Sequence, residues 1–223
     1  MALEIEQGKM AIDVAKANGV EFLVFLSVAD CDKFAENVLH IKSKWHIEQY
    51  LTKSGLNHAI LRPVAFFDNL DDPTNYNPLN RGSVKMLTEA HLKWVSCTDI
   101  GKAVAVLFKE PKKYNQQVIA AASWEGTGDN LAEALTKASG TKCTFQVGVP
   151  KWLQYLFMRD LYNMIVYFEE NPGLSKEVSI DKFKQVVPDA QSAEDWFRAK
   201  GKWSNGEEFG KETTPTGMFA IFC

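Results

Sequence analysis

Residues 34–70 run through two hydrophobic periods, one helical and one extended. Phe34, Val38, Ile41 and Trp45 recur at steps of four, three and four, which places them on one side of a helix. Ile47, Tyr50 and Leu51 widen that face. Gly55 is the expected stop, because glycine tolerates the left-handed backbone just past a helix end. Ala59-Ile60-Leu61 then has the length of a buried strand. Arg62-Pro63 closes it, since proline lacks the N–H of a sheet ladder and restricts the residue before it. This is half of an α/β unit. It predicts a cleft beyond the carboxyl end of the strand, where Arg62 and Ala65–Asn69 should lie.

The flanking pattern extends the unit. Ile5–Asn18 reads as a helix with Met10, Val14 and Ala17 turned inward, stopped at Asn18-Gly19. Phe22–Val28 is apolar on both faces, as expected for a central parallel strand covered by helices, and Ser27 falls near its carboxyl end. Helix, strand, helix and strand in succession supply the crossover that a parallel pair needs.

Downstream, Asp68–Ser83 is rich in proline, asparagine and glycine and predicts a loop, either a cleft wall or a surface excursion. His91–Cys97 is a short strand centred on Trp94-Val95. Thr98 is the expected cap of a helix starting at Asp99, with Asp99 in a capping rather than a catalytic role. Ile100, Val104, Leu107 and Phe108 give that helix its inward face. Gln117–Ala122 and Cys143–Val147 are further strands. Between them Leu131, Leu135 and Ala138 line a helix stopped by Gly140. The glycines of Trp124–Gly128 lack the Walker lysine and the dinucleotide-fingerprint spacing, so Thr127 is expected to cap that helix. Pro150–Glu170 predicts one long aromatic helix. Phe183–Lys200 predicts a short strand or loop, then a helix from Ser192 anchored by Trp196 and Phe197. Residues 201–223 read as a flexible tail.

Composition narrows the function classes. With 223 residues and a formal net charge of −3, the chain has no broad attraction for nucleic acid or anionic membrane. Its four cysteines are scattered without metal-ligand spacing, which predicts no metal site and a reducing compartment. No secretory signal is visible, and no uncharged apolar run reaches the ~18 residues of a membrane span. His40 and Lys44 are four apart and share a helix face. They either point together into the cleft or belong to a solvated stripe with Lys42, His46 and Glu48.

Four segments, Gly8–Val28, His40–Leu70, Trp94–Phe108 and Tyr114–Gly140, resemble in order and spacing the NmrA-like family of atypical short-chain dehydrogenase/reductases. The resemblance implies an α/β fold: a partial Rossmann-like parallel sheet with helices on both faces, plus a small C-terminal α/β domain. Residues 1–122 would form the truncated nucleotide-binding portion, with an interleaved loop at 68–93. Residues 123–200 would form a small substrate or partner subdomain. The implied cofactor is NADP or NAD. Lys44 matches the lysine that approaches the nicotinamide and its ribose. His40 stands where ordinary short-chain dehydrogenases carry the tyrosine of YxxxK, and Ser27 lies at a strand end that reaches the reaction zone. These three are the expected catalytic residues. Lys44, Pro63, Phe66, Phe67 and Asn69 are the expected cofactor-binding residues.

The glycine-rich turn that cradles the pyrophosphate in the family has no counterpart here. The expectation is a relative of nicotinamide redox sensors or regulators whose cofactor binding is weakened or lost. The alternatives are an NAD(P)H-dependent oxidoreductase acting on a small quinone or unsaturated carbonyl, and a protein-interaction module. A protein partner or self-association would use an exposed sheet edge or the aromatic helix. The expected location is the cytoplasm, with the nucleus also open to such a regulator.

Overall fold

A computed structural model describes residues 2–34, 38–71 and 82–200. The chain begins with α1 (Ala2–Ala17), β1 (Leu23–Leu26), α2 (Leu39–Lys53), β2 (His58–Pro63) and β3 (Ala65–Phe66), then a 3-10 turn over Phe67–Asp71. It continues with β4 (Ser83–Met86), β5 (Leu92–Val95), α3 (Cys97–Lys109), α4 (Pro111–Tyr114), β6 (Gln117–Ala121) and β7 (Trp124–Gly126). Last come α5 (Gly128–Ser139), β8 (Thr144–Val147), α6 (Lys151–Phe157), α7 (Arg159–Glu170), α8 (Ile180–Val186) and α9 (Ala193–Lys200). Most of the breaker-rich loop at 68–83, and the whole tail at 201–223, lie outside the described residues.

The first sheet is parallel, in the order β1-β2-β6. β2 is its centre, and its side chains alternate between two covered faces. Ile60 packs with Ile12 of α1 and with Ile47 and Leu51 of α2. Ala59 and Leu61 turn the other way: Ala59 meets Leu107 of α3, and Leu61 meets Ala103 of α3 and Phe183 of α8. Helices on both faces of a parallel sheet make this a partial Rossmann-like α/β fold. A mixed sheet, β3-β5-β7, and a two-stranded parallel sheet, β4-β8, complete it. Behind them Phe67, Trp94, Leu131, Leu135, Trp196 and Phe197 form a second core.

Several expectations change. β1 is an outer strand among the described residues, not a central one, and its open edge leaves Leu26 46% exposed. An apolar pattern reports a demand for burial; it does not name the neighbour that meets it. In α1, Met10 (61%) and Val14 (55%) face outward, and Ile12 is the buried residue. The small side of α1 packs inward: a Cβ on Gly8 would lie 2.6 Å from Ile47, so only glycine admits this approach. α2 starts at Leu39, and Phe34 is buried ahead of it, stacked on Tyr167. Ser96, not Thr98, caps α3 and accepts the Asp99 N–H. Asp99 is fully buried and accepts the Gln191 N–H at 2.8 Å, a tether rather than a cap. Phe108 of α3 points outward.

The expected long helix at 150–170 is two helices. Met158 leaves the helical region (φ −134, ψ 46) between them. Gln154, buried, pins α6 by donating to the Leu87 and Val149 carbonyls. Of the segment expected as a short strand or loop before Ser192, residues 183–186 belong to the helix α8 and residues 187–191 form a loop. Thr127 caps α5 in a reciprocal box with Asn130, and Gly140 ends that helix at φ +72, both as expected.

Candidate functional site

The carboxyl ends of β1 and β2 open into a cavity of about 590 Å³ with a mainly apolar lining. Two hydrogen bonds shape its floor. Ser27 N–H donates to the Leu61 carbonyl at 2.8 Å, and Ala29 N–H donates to the Pro63 carbonyl at 2.9 Å. β1 and β2 thus release their chains side by side, and Ser27 and Pro63 both line the cavity. His40 and Lys44 of α2 enter from one side. Phe66 and Asn69 follow β2 around the rim, and Leu161, Met164 and Ile165 of α7 form the facing wall.

Six of the seven expected site residues therefore meet: Ser27, His40, Lys44, Pro63, Phe66 and Asn69. Phe67 is placed elsewhere. It is fully buried, stacked on Trp94 at 5.8 Å and on Trp196 at 5.7 Å. Arg62 does not line the cavity either. It forms a two-pronged pair with the buried Glu48 (2.9 and 2.6 Å), reaches Asp32 at 3.0 Å and lies over the Trp45 ring. Burial works against the Arg62 charge, but the Glu48 carboxylate outweighs it and holds the guanidinium protonated beyond its ordinary range. The same carboxylate accepts the Cys31 thiol at 3.3 Å. Burial, then Glu48, pushes that thiol up to about 12, so Cys31 is no nucleophile near neutral pH.

The two polar side chains on α2 have partners that no local period announces. Lys44 Nζ sits 2.5 Å from Glu4 Oε1 on α1, and Glu4 Oε2 accepts the Ser43 hydroxyl at 2.5 Å. Burial raises the Glu4 carboxyl, but Lys44 and Ser43 prevail and hold it below the usual range. His40 Nδ1 bonds Asp160 Oδ2 at the start of α7. Asp160 Oδ1 also accepts the Leu39 N–H at 2.7 Å, so it serves as an N-cap supplied to α2 from another helix. α2 needs one, since Val38, its own capping position, makes no side-chain bond. Burial raises the Asp160 carboxyl, but the His40 bond and the α2 amides hold it below the ordinary carboxylate range.

The loop after α7 closes the cavity from the side of β1. Leu174, in the left-handed region at φ 63, contributes to the lining. Ser175 donates its N–H at 2.8 Å and its hydroxyl at 2.5 Å to the buried Asp30, itself at φ 55. Lys33 reaches Glu177 at 2.6 Å.

Among the described residues, no group of three or more acidic, histidine or cysteine side chains could hold a metal ion. No helix there is long and apolar enough to cross a membrane. The glycines of residues 124–128 serve packing: a Cβ on Gly126 would meet Trp124 at 2.3 Å, and one on Gly128 would meet Phe145 at 2.2 Å.

A dinucleotide cofactor can be tested against this lining only at its nicotinamide end. Pro63, Val64 and Phe66 offer an apolar wall for a flat ring, and Lys44 and Asn69 bring polar groups to the same space. That end fits.

Comparison with solved structures places the same fold in several nicotinamide-linked proteins. The negative transcriptional regulator NmrA, solved in complex with NAD, superposes with a TM-score of 0.68 at 19% identity, over 87% of this chain and 68% of that one. The triphenylmethane reductase of Citrobacter sp., complexed with NADP(H), gives 0.67 at 15% identity, over 88% and 70%. In sequence, an NmrA-like family domain-containing oxidoreductase of Penicillium ochrochloron is 26% identical over 194 residues, 76% of this chain and 58% of that protein. The prestalk A differentiation protein A of Dictyostelium discoideum is 26% identical over 136 residues, 60% and 42%. The chain thus spans about half the length of these curated relatives. The model of the NmrA-like family matches residues 1–209, and the chain belongs to the NmrA-like family.

Proposed function

We propose that this chain forms the nicotinamide and substrate side of an NAD(P)H-dependent oxidoreductase acting on a small quinone or unsaturated carbonyl. The observation that carries the reading is the convergence of Ser27, His40 and Lys44 on one apolar cavity of about 590 Å³. Residues 1–122 supply the floor and the nicotinamide wall in this proposal. Residues 123–200 supply the facing wall through α7.

When bound, the dihydronicotinamide supplies the hydride. The residues of this chain do the rest. Pro63, Val64 and Phe66 would hold the ring against the floor. Lys44, steadied by Glu4, would hold the ribose hydroxyls. Leu161, Met164 and Phe168 exclude water and accept a flat, uncharged substrate. Ser27 offers a hydroxyl at the strand ends, and a protonatable side chain on α2 completes the reduction. The test is NADPH oxidation by the purified chain across a panel of quinones and enones, beside calorimetric titration with NADPH and NADH. Saturable binding with turnover that falls in Lys44→Ala is expected. Binding without turnover across the panel would refute the enzyme.

A second reading, a regulator that acts through a protein partner, is favoured by the surface. α6 exposes Trp152, Leu156 and Phe157, the last at 74%, and β1 leaves an open sheet edge. In that reading the pairing of Lys44 with Glu4 reflects weakened use of the cofactor, and the same titration shows little or no affinity.

A further inference from the structure

Three side chains with a protonatable nitrogen line the cavity, His40, Lys44 and Lys93, and their partners differ in kind. Lys93 gives its amine to the Val178 carbonyl. Lys44 has its amine engaged by the Glu4 carboxylate at 2.5 Å. His40 has one ring nitrogen bound to Asp160, and among the described residues no hydrogen bond takes the other. Asp160 lies 120 positions later in the chain and also closes the amino end of α2 through the Leu39 N–H. One helix, α7, therefore gives its first turn to the His40 ring and its next turns, through Leu161, Met164 and Ile165, to the cavity wall. A carboxylate can only accept. The Nδ1 that faces Asp160 must then carry a hydrogen, and the exchangeable position left for the cavity is Nε2.

We propose that Asp160 is the positioning residue for His40, fixing the ring so that Nε2 delivers the proton that completes reduction of the substrate in this cavity. The inference rests on the reductase reading of the site and assigns the proton, which that reading leaves open, to His40 rather than Lys44. The reaction balances as a two-electron reduction. The hydride comes from a dihydronicotinamide nucleotide, which leaves as the oxidised nicotinamide, and it forms a C–H bond on an unsaturated carbonyl or an O–H bond at one quinone oxygen. The imidazolium Nε2–H bond breaks and an O–H bond forms on the substrate oxygen. The ring is left neutral, with its remaining hydrogen on Nδ1 against Asp160, and it regains a proton from solvent at its half-exposed edge. The substrate this arrangement takes is a flat apolar molecule that presents a carbonyl oxygen to Nε2 and carries no net charge, since the rest of the lining is mainly apolar.

The charged groups around His40 are Asp160 on α7, Lys44 on α2 and, through Lys44, Glu4 on α1. Arg159, beside Asp160, turns away and stacks on Tyr155 at 3.9 Å.

The experiment reads the ring itself by long-range proton–nitrogen NMR of the labelled full chain, at a pH where the imidazole is neutral. The parent chain is expected to hold the Nδ1–H tautomer, the reverse of the form that free histidine prefers. In Asp160→Asn the amide oxygen is expected to stay with the Leu39 N–H, whose bond of 2.7 Å is much shorter than the 3.4 Å bond from the His40 N–H to the other oxygen. The amide N–H₂ then faces His40 Nδ1 and drives the hydrogen to Nε2. Asparagine keeps the cap, so the fold is retained, and circular dichroism checks it. Asp160→Glu should restore the parent tautomer at least in part. A parent ring in the Nε2–H form, or a tautomer indifferent to Asp160→Asn, would overturn the positioning. In turnover, Asp160→Asn is expected to lower kcat by roughly tenfold, with KM for NADPH held within about twofold. Turnover indifferent to Asp160→Asn and to His40→Gln would overturn the proton assignment. Absence of turnover in the parent chain would instead sink the reductase reading, while the tautomer still decides the positioning.

Discussion

Replacing Glu48 by glutamine tests how the floor of the cavity is held. Glu48 is 2% exposed and takes both prongs of Arg62, at 2.9 and 2.6 Å, together with the Cys31 thiol. Losing one partner of a buried pair costs about 3–5 kcal/mol, mostly because the other charge stays buried. The lower end applies here. Arg62 retains Asp32 at 3.0 Å and the Trp45 face, and its side chain keeps 16% of its exposure. Glu48→Gln is therefore expected to cost about 3 kcal/mol, which for a chain of this size lowers Tm by roughly 6–12 °C. Urea unfolding at neutral pH measures it, with an unchanged slope required for the comparison to stand. Glu48→Met combined with Arg62→Leu should cost less than Glu48→Gln alone, since no charge is then stranded. A loss below about 1 kcal/mol, the scale of a surface pair, would refute the claim that this network anchors the β1–α2 connection.

Three further outcomes follow from the same geometry. Gly128→Ala places a methyl 2.2 Å from the Phe145 ring, so the ring or the start of α5 must shift, and a loss of about 1–3 kcal/mol is expected by chemical denaturation. Lys33, then Ser175, hold the Glu177 carboxyl down at about 2. A carboxyl depressed on folding contributes stability that is present above its unfolded value and lost as pH falls through the folded one. The 171–179 loop should thus keep its hydrogen-exchange protection at pH 4 and lose it as pH approaches 2, and loss already at pH 4 would contradict the Lys33–Glu177 latch. Phe67→Leu should destabilise by about 1–3 kcal/mol through the Trp94–Trp196 stack, while NADPH affinity, followed by calorimetry, changes less than twofold.

What could be read in the chain depended on whether its cause was local. β2 was legible because Ala59–Leu61 and Pro63 carry length, apolarity and terminus in adjacent residues. α5 was legible for the same reason, with Thr127 at its start and Gly140 at its end. The inward face of α1 was not, because it is defined by smallness at Gly8 and Ala15 around Ile12, while hydrophobicity pointed to Met10 and Val14. The break at Met158 left no mark either, since an aromatic stretch apolar on most sides shows no shift of face when the axis turns. The site divides in the same way. His40 and Lys44 share a face by spacing alone, and Ser27 and Pro63 by their strand ends. Glu4 and Asp160 complete them from helices far away in the chain, and Asp160 showed only as a polar break in an aromatic helix. That distinction has a chemical consequence. Spacing brings an amine and an imidazole to one cavity but cannot say which is engaged. The distant carboxylates bear on it: Glu4 pairs with the lysine amine, whereas Asp160 binds one nitrogen of the histidine and, among the described residues, no hydrogen bond takes the second.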